Sequence, residues 1–193
     1  MYVRKEECPE RIRKGNGKRE VYMTKKLVYS GIGAALVCVL TLFPQIPLAF
    51  GYMNLGDALI IILSYLLGWW AVPAAAIGST LADLFMYPAY APVTLVIKGC
   101  MAAVMAALFS LTGENPEKKL KAVCFIAPVL SEAIMTTGYF LYEWALFGLA
   151  PATANLIYSL LQATASLVLG FLLLVIFIKR DLRKKIFSGK KHE

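Results

Sequence analysis

The chain has 193 residues, of which 59% are hydrophobic and 17% charged, and a formal net charge of +8. A soluble domain carries about 25% charged residues, and here the apolar residues fall in long uncharged runs, which excludes a soluble enzyme and points to an integral membrane protein. The basic excess is a topology signal and not a nucleic-acid surface: nine Lys and Arg lie in residues 1–26, seven in 179–193 and three in 118–121, all beside apolar runs.

Residues 1–26 are charged, contain Gly15-Asn16-Gly17 and lack apolar periodicity, so they read as a disordered cytoplasmic tail. The first apolar run, Leu27–Phe43, is a span, and Pro44–Tyr52, with two prolines and a glycine, is a loop on the outer face. Ala58–Ala82 is uncharged throughout and is either one long span or two short ones hinged at Gly68-Trp-Trp-Ala-Val-Pro73. With a hairpin every basic segment falls on the cytoplasmic side; with a single span the 118–121 loop and the C-terminal tail fall outside, against the positive-inside rule.

The spans expected are therefore Leu27–Phe43, Met53–Gly68, Ala71–Tyr87, Pro92–Leu111, Lys121–Tyr142 and Asn155–Ile178, with a second outer loop at Glu143–Ala154. All should be α-helices, because a helix satisfies its own backbone polar groups in lipid. The fold class is an all-α integral membrane protein with six transmembrane helices, both termini cytoplasmic, a transmembrane domain over 27–178 and a basic cytoplasmic tail over 179–193.

Ionisable groups inside such helices cost about 3 kcal/mol or more near the bilayer centre, so their positions carry information. They are Asp57, Asp83, Lys98 and Glu132. At 1.5 Å per residue from each helix's cytoplasmic end, Asp57, Asp83 and Glu132 lie about 15–16 Å up and Lys98 about 20 Å, so Asp57 and Asp83 should face each other with Lys98 a turn further out. Helical spacing adds Thr136 and Tyr139 to the face of Glu132, Thr94 to Lys98, Tyr87 to Asp83, and Ser159 and Gln162 to Asn155. Together these stripes describe a polar cavity opening outward above apolar inner halves. Three acids against one base leave formal charge that protons, water or a ligand must balance. Glu143 reads as an interfacial residue without a role.

Ser30-x-x-x-Ala34 and Gly31-x-x-x-Ala35 form a small-residue stripe on the first helix, suited to close helix approach either within this chain or to a partner. Four cysteines without C-x-x-C spacing and one histidine, His192, give no metal site and no histidine chemistry, and no phosphate-binding G-x-x-x-x-G-K-[ST] is present. No cofactor and no catalytic residue is expected.

The run Gly51-Tyr-Met-Asn-Leu-Gly-Asp57, followed by Gly78-Ser-Thr-Leu-Ala-Asp-Leu-Phe-Met-Tyr-Pro-Ala-Tyr-Ala-Pro-Val-Thr-Leu-Val-Ile-Lys-Gly99, resembles the substrate-binding S components of energy-coupling factor (ECF) vitamin transporters. The branch it looks most similar to is the riboflavin-type one, held to include pyridoxine and hydroxymethylpyrimidine carriers. The likeness spans about Met23 to Lys179, with shorter matches at Met135-x-x-Gly-Tyr139 and Asn155-Leu-Ile; Met86 departs from it where a glycine is expected.

The resemblance implies a six-helix binding protein in the prokaryotic cell membrane, docked on a transmembrane T component and two ATPases. It gives Ser30, Gly31, Ala34 and Ala35 the role of contacting the T component. It also makes the polar layer a site for a vitamin or vitamin precursor, with Pro44–Tyr52 as its lid. Asn54, Asp57, Asp83, Lys98, Glu132, Asn155 and Gln162 would supply hydrogen bonds and charge, and Tyr87, Tyr90 and Tyr139 would stack on a heteroaromatic ring. The alternatives are a stand-alone proton-coupled permease, using one of the buried carboxylates as proton carrier, and a scaffold subunit whose polar layer is structural.

Overall fold

A computed structural model describes residues 8–43, 46–48, 51–111, 117–180 and 182–187. The helices are α1 (Cys8–Leu42), α2 (Gly56–Leu67), α3 (Ala71–Met86), α4 (Ala91–Ser110), α5 (Glu117–Phe147), α6 (Leu149–Lys179) and a short α7 (Leu182–Phe187). Among the described residues five stretches are long and apolar enough to cross a membrane: Glu20–Leu42, Gly56–Met86, Ala91–Ser110, Ala122–Phe147 and Leu149–Lys179. Large apolar side chains such as Ile77, Phe85, Val96, Phe125 and Leu172 are exposed on their outer surfaces, as lipid-facing positions are.

The 31-residue stretch Gly56–Met86 is not one straight rod. Gly68 has φ +60°, a conformation that glycine adopts at little cost, and it opens a single 3₁₀ turn over Gly68–Trp70. Neighbours on α1 show the direction of each half. Gly33 lies against Leu63 and Gly56 against Thr41, so α1 and α2 run antiparallel. The Ser30 hydroxyl donates to the Trp70 carbonyl over 2.8 Å and Gly78 lies against Ala34 and Val37, so α1 and α3 run parallel. The chain therefore turns back at Gly68, where the sequence placed its hairpin.

Three local expectations are corrected. Helix α1 begins at Cys8, so much of the segment read as a disordered tail is helical; Pro9 in its first turn and the Arg, Lys and Glu that follow are compatible with helix, and lack of apolar periodicity argues only against burial. No loop spans 143–154: α5 continues to Phe147, Gly148 turns the chain at φ +89°, and α6 starts at Leu149. Pro151 sits in the first turn of α6, where the missing N–H has no intrahelical partner to lose. Between α1 and α2 the described backbone forms a three-residue antiparallel ladder, Ile46 opposite Met53 and Leu48 opposite Gly51; the rest of the proposed lid, Pro44, Gln45, Ala49 and Phe50, lies outside the described residues.

The main core lies toward the Gly68 end of the bundle, where Ile60, Ile61, Leu63, Leu67, Ala71, Met105, Phe109, Cys124 and Leu174 pack together. A smaller cluster of Ile97, Met101, Met135 and Ala163 lies nearer the other end. Helix α1 approaches α3 closely at Gly78, where an added Cβ would collide with the backbone carbonyl of Ala34. Gly78→Leu should cost about 1–3 kcal/mol by overpacking, whereas Gly31→Leu, with nothing within 4 Å of an added Cβ, should leave stability unchanged. Thermal unfolding of both variants in detergent checks the contrast.

Candidate functional site

The buried charged residues among those described are Asp57, Asp83, Lys98, Glu132 and Glu143. The deepest contact among them joins three helices. Lys98 on α4 forms an ion pair with Asp57 at the start of α2, and Gln162 on α6 donates from Nε2 to the other Asp57 oxygen over 2.7 Å. The Gln162 oxygen in turn accepts the Asn54 backbone N–H over 3.1 Å, while the Asn54 side chain accepts the Gly56 N–H over 2.9 Å. That last bond satisfies one of the donors which the first turn of α2 leaves without an intrahelical partner. Asp57, at 0% exposure, is thus held on both oxygens.

One helical turn nearer the mouth, Thr94 donates its hydroxyl to Asp83 and lies 2.8 Å from the Tyr139 hydroxyl. Asp57 and Asp83 therefore occupy successive levels along α4. The expectation that the two carboxylates share one height, with Lys98 further out, is corrected: Lys98 sits at the level of Asp57 and Asp83 lies outward of it.

Near the mouth, Glu143 accepts hydrogen bonds from the Tyr90 hydroxyl and the Asn155 amide, each over 3.2 Å. Its placement at an exposed interface is therefore wrong. It is 5% exposed because α5 runs on past it and α6 starts close by, burying it between helices. Tyr90 also packs against Tyr87, Tyr139 and Tyr142 with ring centroids 6.5, 6.3 and 5.4 Å away, and the Lys98 ammonium lies 5.5 Å from the Tyr139 ring centre.

These groups surround one open-mouthed cavity of about 610 Å³, counted with its mouth. Of the residues expected from sequence, Asn54, Asp83, Tyr87, Tyr90, Lys98, Tyr139, Asn155 and Gln162 line it. Asp57 does not; it lies behind Lys98 and Gln162 and holds them. Glu132 does not line it either, being 2% exposed with neither carboxylate oxygen hydrogen-bonded among the described residues. Thr41, Ser79, Thr94, Met135, Glu143, Tyr158 and Ser159 line the wall as well. Thr94 and Ser159 carried a helical-spacing signal, and Ser79 stands one turn before Asp83 on the same face; Thr41 sits singly in an apolar run and no pattern distinguishes it.

The small-residue stripe divides. Ser30 is buried, its hydroxyl bonded to α3, and the Ala34 backbone abuts Gly78, so these two serve internal packing. Gly31 and Ala35, one residue on, are exposed.

No group of three or more His, Cys, Asp or Glu among the described residues has metal-binding geometry. The arrangement is that of a polar cavity: neutral hydrogen-bonding groups, tyrosine rings, carboxylates and the Lys98 ammonium converge on one open-mouthed space. Removing the Lys98 ammonium would strand the Asp57 carboxylate, and breaking a buried pair costs about 3–5 kcal/mol. Lys98→Met should therefore destabilise the protein strongly and Lys98→Met with Asp57→Leu should recover much of the loss, read as unfolding midpoints in detergent.

Two comparisons bear on this geometry. The sequence model of the family described as ECF-type riboflavin transporter, S component, matches residues 21–180. A chain from Pyrococcus woesei, described as an uncharacterised protein in the gap 3′ region, is 33% identical over 137 residues, which is 69% of this chain and 88% of that one.

Proposed function

The chain belongs to the ECF-type riboflavin transporter S-component family, whose members are substrate-binding components of transporters and not enzymes, and from that premise we propose that it captures a small water-soluble vitamin or vitamin precursor outside the cell and delivers it inward. The observation that carries this reading is the polar cavity itself. An apolar bundle has no packing reason to bring Asn54, Asp83, Lys98, Asn155 and Gln162 to one open space, and polar groups within a membrane are expensive unless they are used. The tyrosine rings at the mouth offer faces to a planar ring system, and the amide and hydroxyl groups offer direction.

In this reading the bundle crosses the membrane six times with both termini and the 112–116 connection in the cytoplasm. The reversal at Gly68 and the basic residues beside the spans support it. The cavity then opens outward, and the core around Ile61, Met105 and Leu174 closes the path inward. A cysteine introduced at Asn115 should be inaccessible to an impermeant thiol reagent added to intact cells; labelling there would overturn the topology.

Energy for release comes, in the proposed assembly, from a T component and two ATPases. Gly31 and Ala35 form the face of α1 open to that contact, while Ser30 and Ala34 act indirectly by seating α1 on α3. Gly31→Leu should accordingly abolish uptake in cells expressing the partner subunits while leaving ligand affinity of the purified protein unchanged, because a bulky side chain prevents close helix approach. Normal uptake by that variant would remove Gly31 from the docking surface, and uptake by the chain without partners would replace the assembly with a self-sufficient carrier.

A further inference from the structure

A further concave surface lies outside the polar cavity and is chemically unlike it. It runs between α1 and α2 at the Gly68 end of the bundle, where Gly33 abuts Leu63, and α7 contributes one side. Tyr29, Ile32 and Leu36 on α1, Leu63 and Leu66 on α2, and Ile186 on α7 line a groove of about 410 Å³, counted with its mouth. Ile32 and Leu36 are exposed there, so the described chain leaves the groove open.

Cations stand at its rim on both sides. Lys25, exposed, lies one turn before Tyr29 on the same face of α1. Arg183, also exposed, precedes Ile186 by three residues on α7, and its guanidinium lies 5.9 Å from the centre of the Tyr65 ring on α2. The sequence around both has the same sign: Lys18, Arg19, Lys25 and Lys26 outnumber Glu20, and Lys179, Arg180, Arg183, Lys184 and Lys185 outnumber Asp181. An apolar groove beside lipid takes up hydrocarbon without selection, and a basic rim by itself attracts any anion. The two together select a molecule with apolar chains and a negative head. Basic residues where spans leave the apolar layer favour anionic lipid by about fivefold in affinity for each Lys or Arg.

We infer that the groove between α1, α2 and α7 binds an anionic phospholipid, with its acyl chains against Ile32, Leu36, Leu63 and Ile186 and its phosphate at Lys25 and Arg183. The inference goes beyond vitamin capture and depends on no part of that reading. A partner helix would fill the apolar part and leave the basic rim without counter-charge. A soluble phosphate would meet the rim and gain nothing from the groove. Only the lipid uses both, and the three occupants separate in a binding experiment.

The full chain in dodecyl maltoside is titrated with dioleoylphosphatidylglycerol, with dioleoylphosphatidylcholine and with glycerol 3-phosphate, and bound ligand is counted by native mass spectrometry. The anionic lipid should bind at least about tenfold more tightly than the zwitterionic one with the same chains, and glycerol 3-phosphate should not bind measurably. Lys25→Gln with Arg183→Gln should remove most of the preference. Leu36→Trp, which fills the groove and changes no charge, should weaken the anionic lipid severalfold; these three positions are exposed, and the thermal transition of each variant verifies folding. Equal or absent binding of the two lipids would overturn the inference and leave the groove to a partner helix. An undiminished preference in the double variant, or unchanged affinity in Leu36→Trp, would overturn it by assigning the attraction to the basic flanks at large. Binding of glycerol 3-phosphate as tight as that of the lipid would replace the lipid by a soluble phosphate ligand.

Discussion

The Asp57–Lys98 ion pair is the constraint on which the rest of the bundle depends. Each charge alone would be prohibitive in an apolar interior, and their attraction offsets desolvation only if the remaining valences are also met. Gln162 supplies the second contact to Asp57, so α2, α4 and α6 must meet at one level. The Gln162 oxygen then takes the Asn54 N–H, which brings the end of the β ladder over the same point. One buried carboxylate thereby fixes the relative height of three helices and the entry of the chain into α2.

Above that level polar contacts continue and below it they thin out. Asp83 with Thr94, and Glu143 with Tyr90 and Asn155, hold the helices by side-chain hydrogen bonds that converge around a space. Toward Gly68 the same helices close on Ile60, Ile61, Met105 and Leu174. Directional polar contacts act at specific atoms and leave room between them, whereas apolar side chains interdigitate until little space is left. A bundle polar at one end and apolar at the other is thus open at the first and sealed at the second.

What the sequence made legible follows from how far each signal reaches. Apolar runs and their basic flanks report where helices are, and the Gly68–Pro73 segment announced its reversal through residue types that a turn requires. Helical spacing found most of the cavity wall, because polar residues that share a face of one helix stay together after packing. Heights across different helices were not legible: they depend on how the helices are seated against one another, which shows only in the contacts of Asp57 with Lys98 and of Asp83 with Thr94, one turn apart on α4. Glu143 was misread for a related reason, since a carboxylate near an apparent span end is interfacial only if the span ends there, and α5 does not. Thr41 gave no signal because single hydroxyls occur throughout apolar helices, and only the position of α1 brings it to the cavity; Ser79, one turn before Asp83, belongs to a stripe that spacing could have extended to it.

Helix α1 shows how one sequence pattern divides into two physical roles. Successive residues are turned by about 100°, so Ser30 and Ala34 face α3 while Gly31 and Ala35 face outward. The close seat of α1 on Gly78 leaves no slack between α1 and α3 at that level, and α3 carries Ser79 and Asp83 into the cavity wall. Thr41, on the same α1 and about 15 Å beyond Gly31, lines that wall directly. A helix is rigid over this length, so a partner that shifts the Gly31–Ala35 face must shift Thr41 with it and push on α3. The Gly31–Ala35 face and the cavity wall at Thr41 are therefore two stations on one stiff element, and in the proposed assembly a push on the first reaches the second without a separate relay.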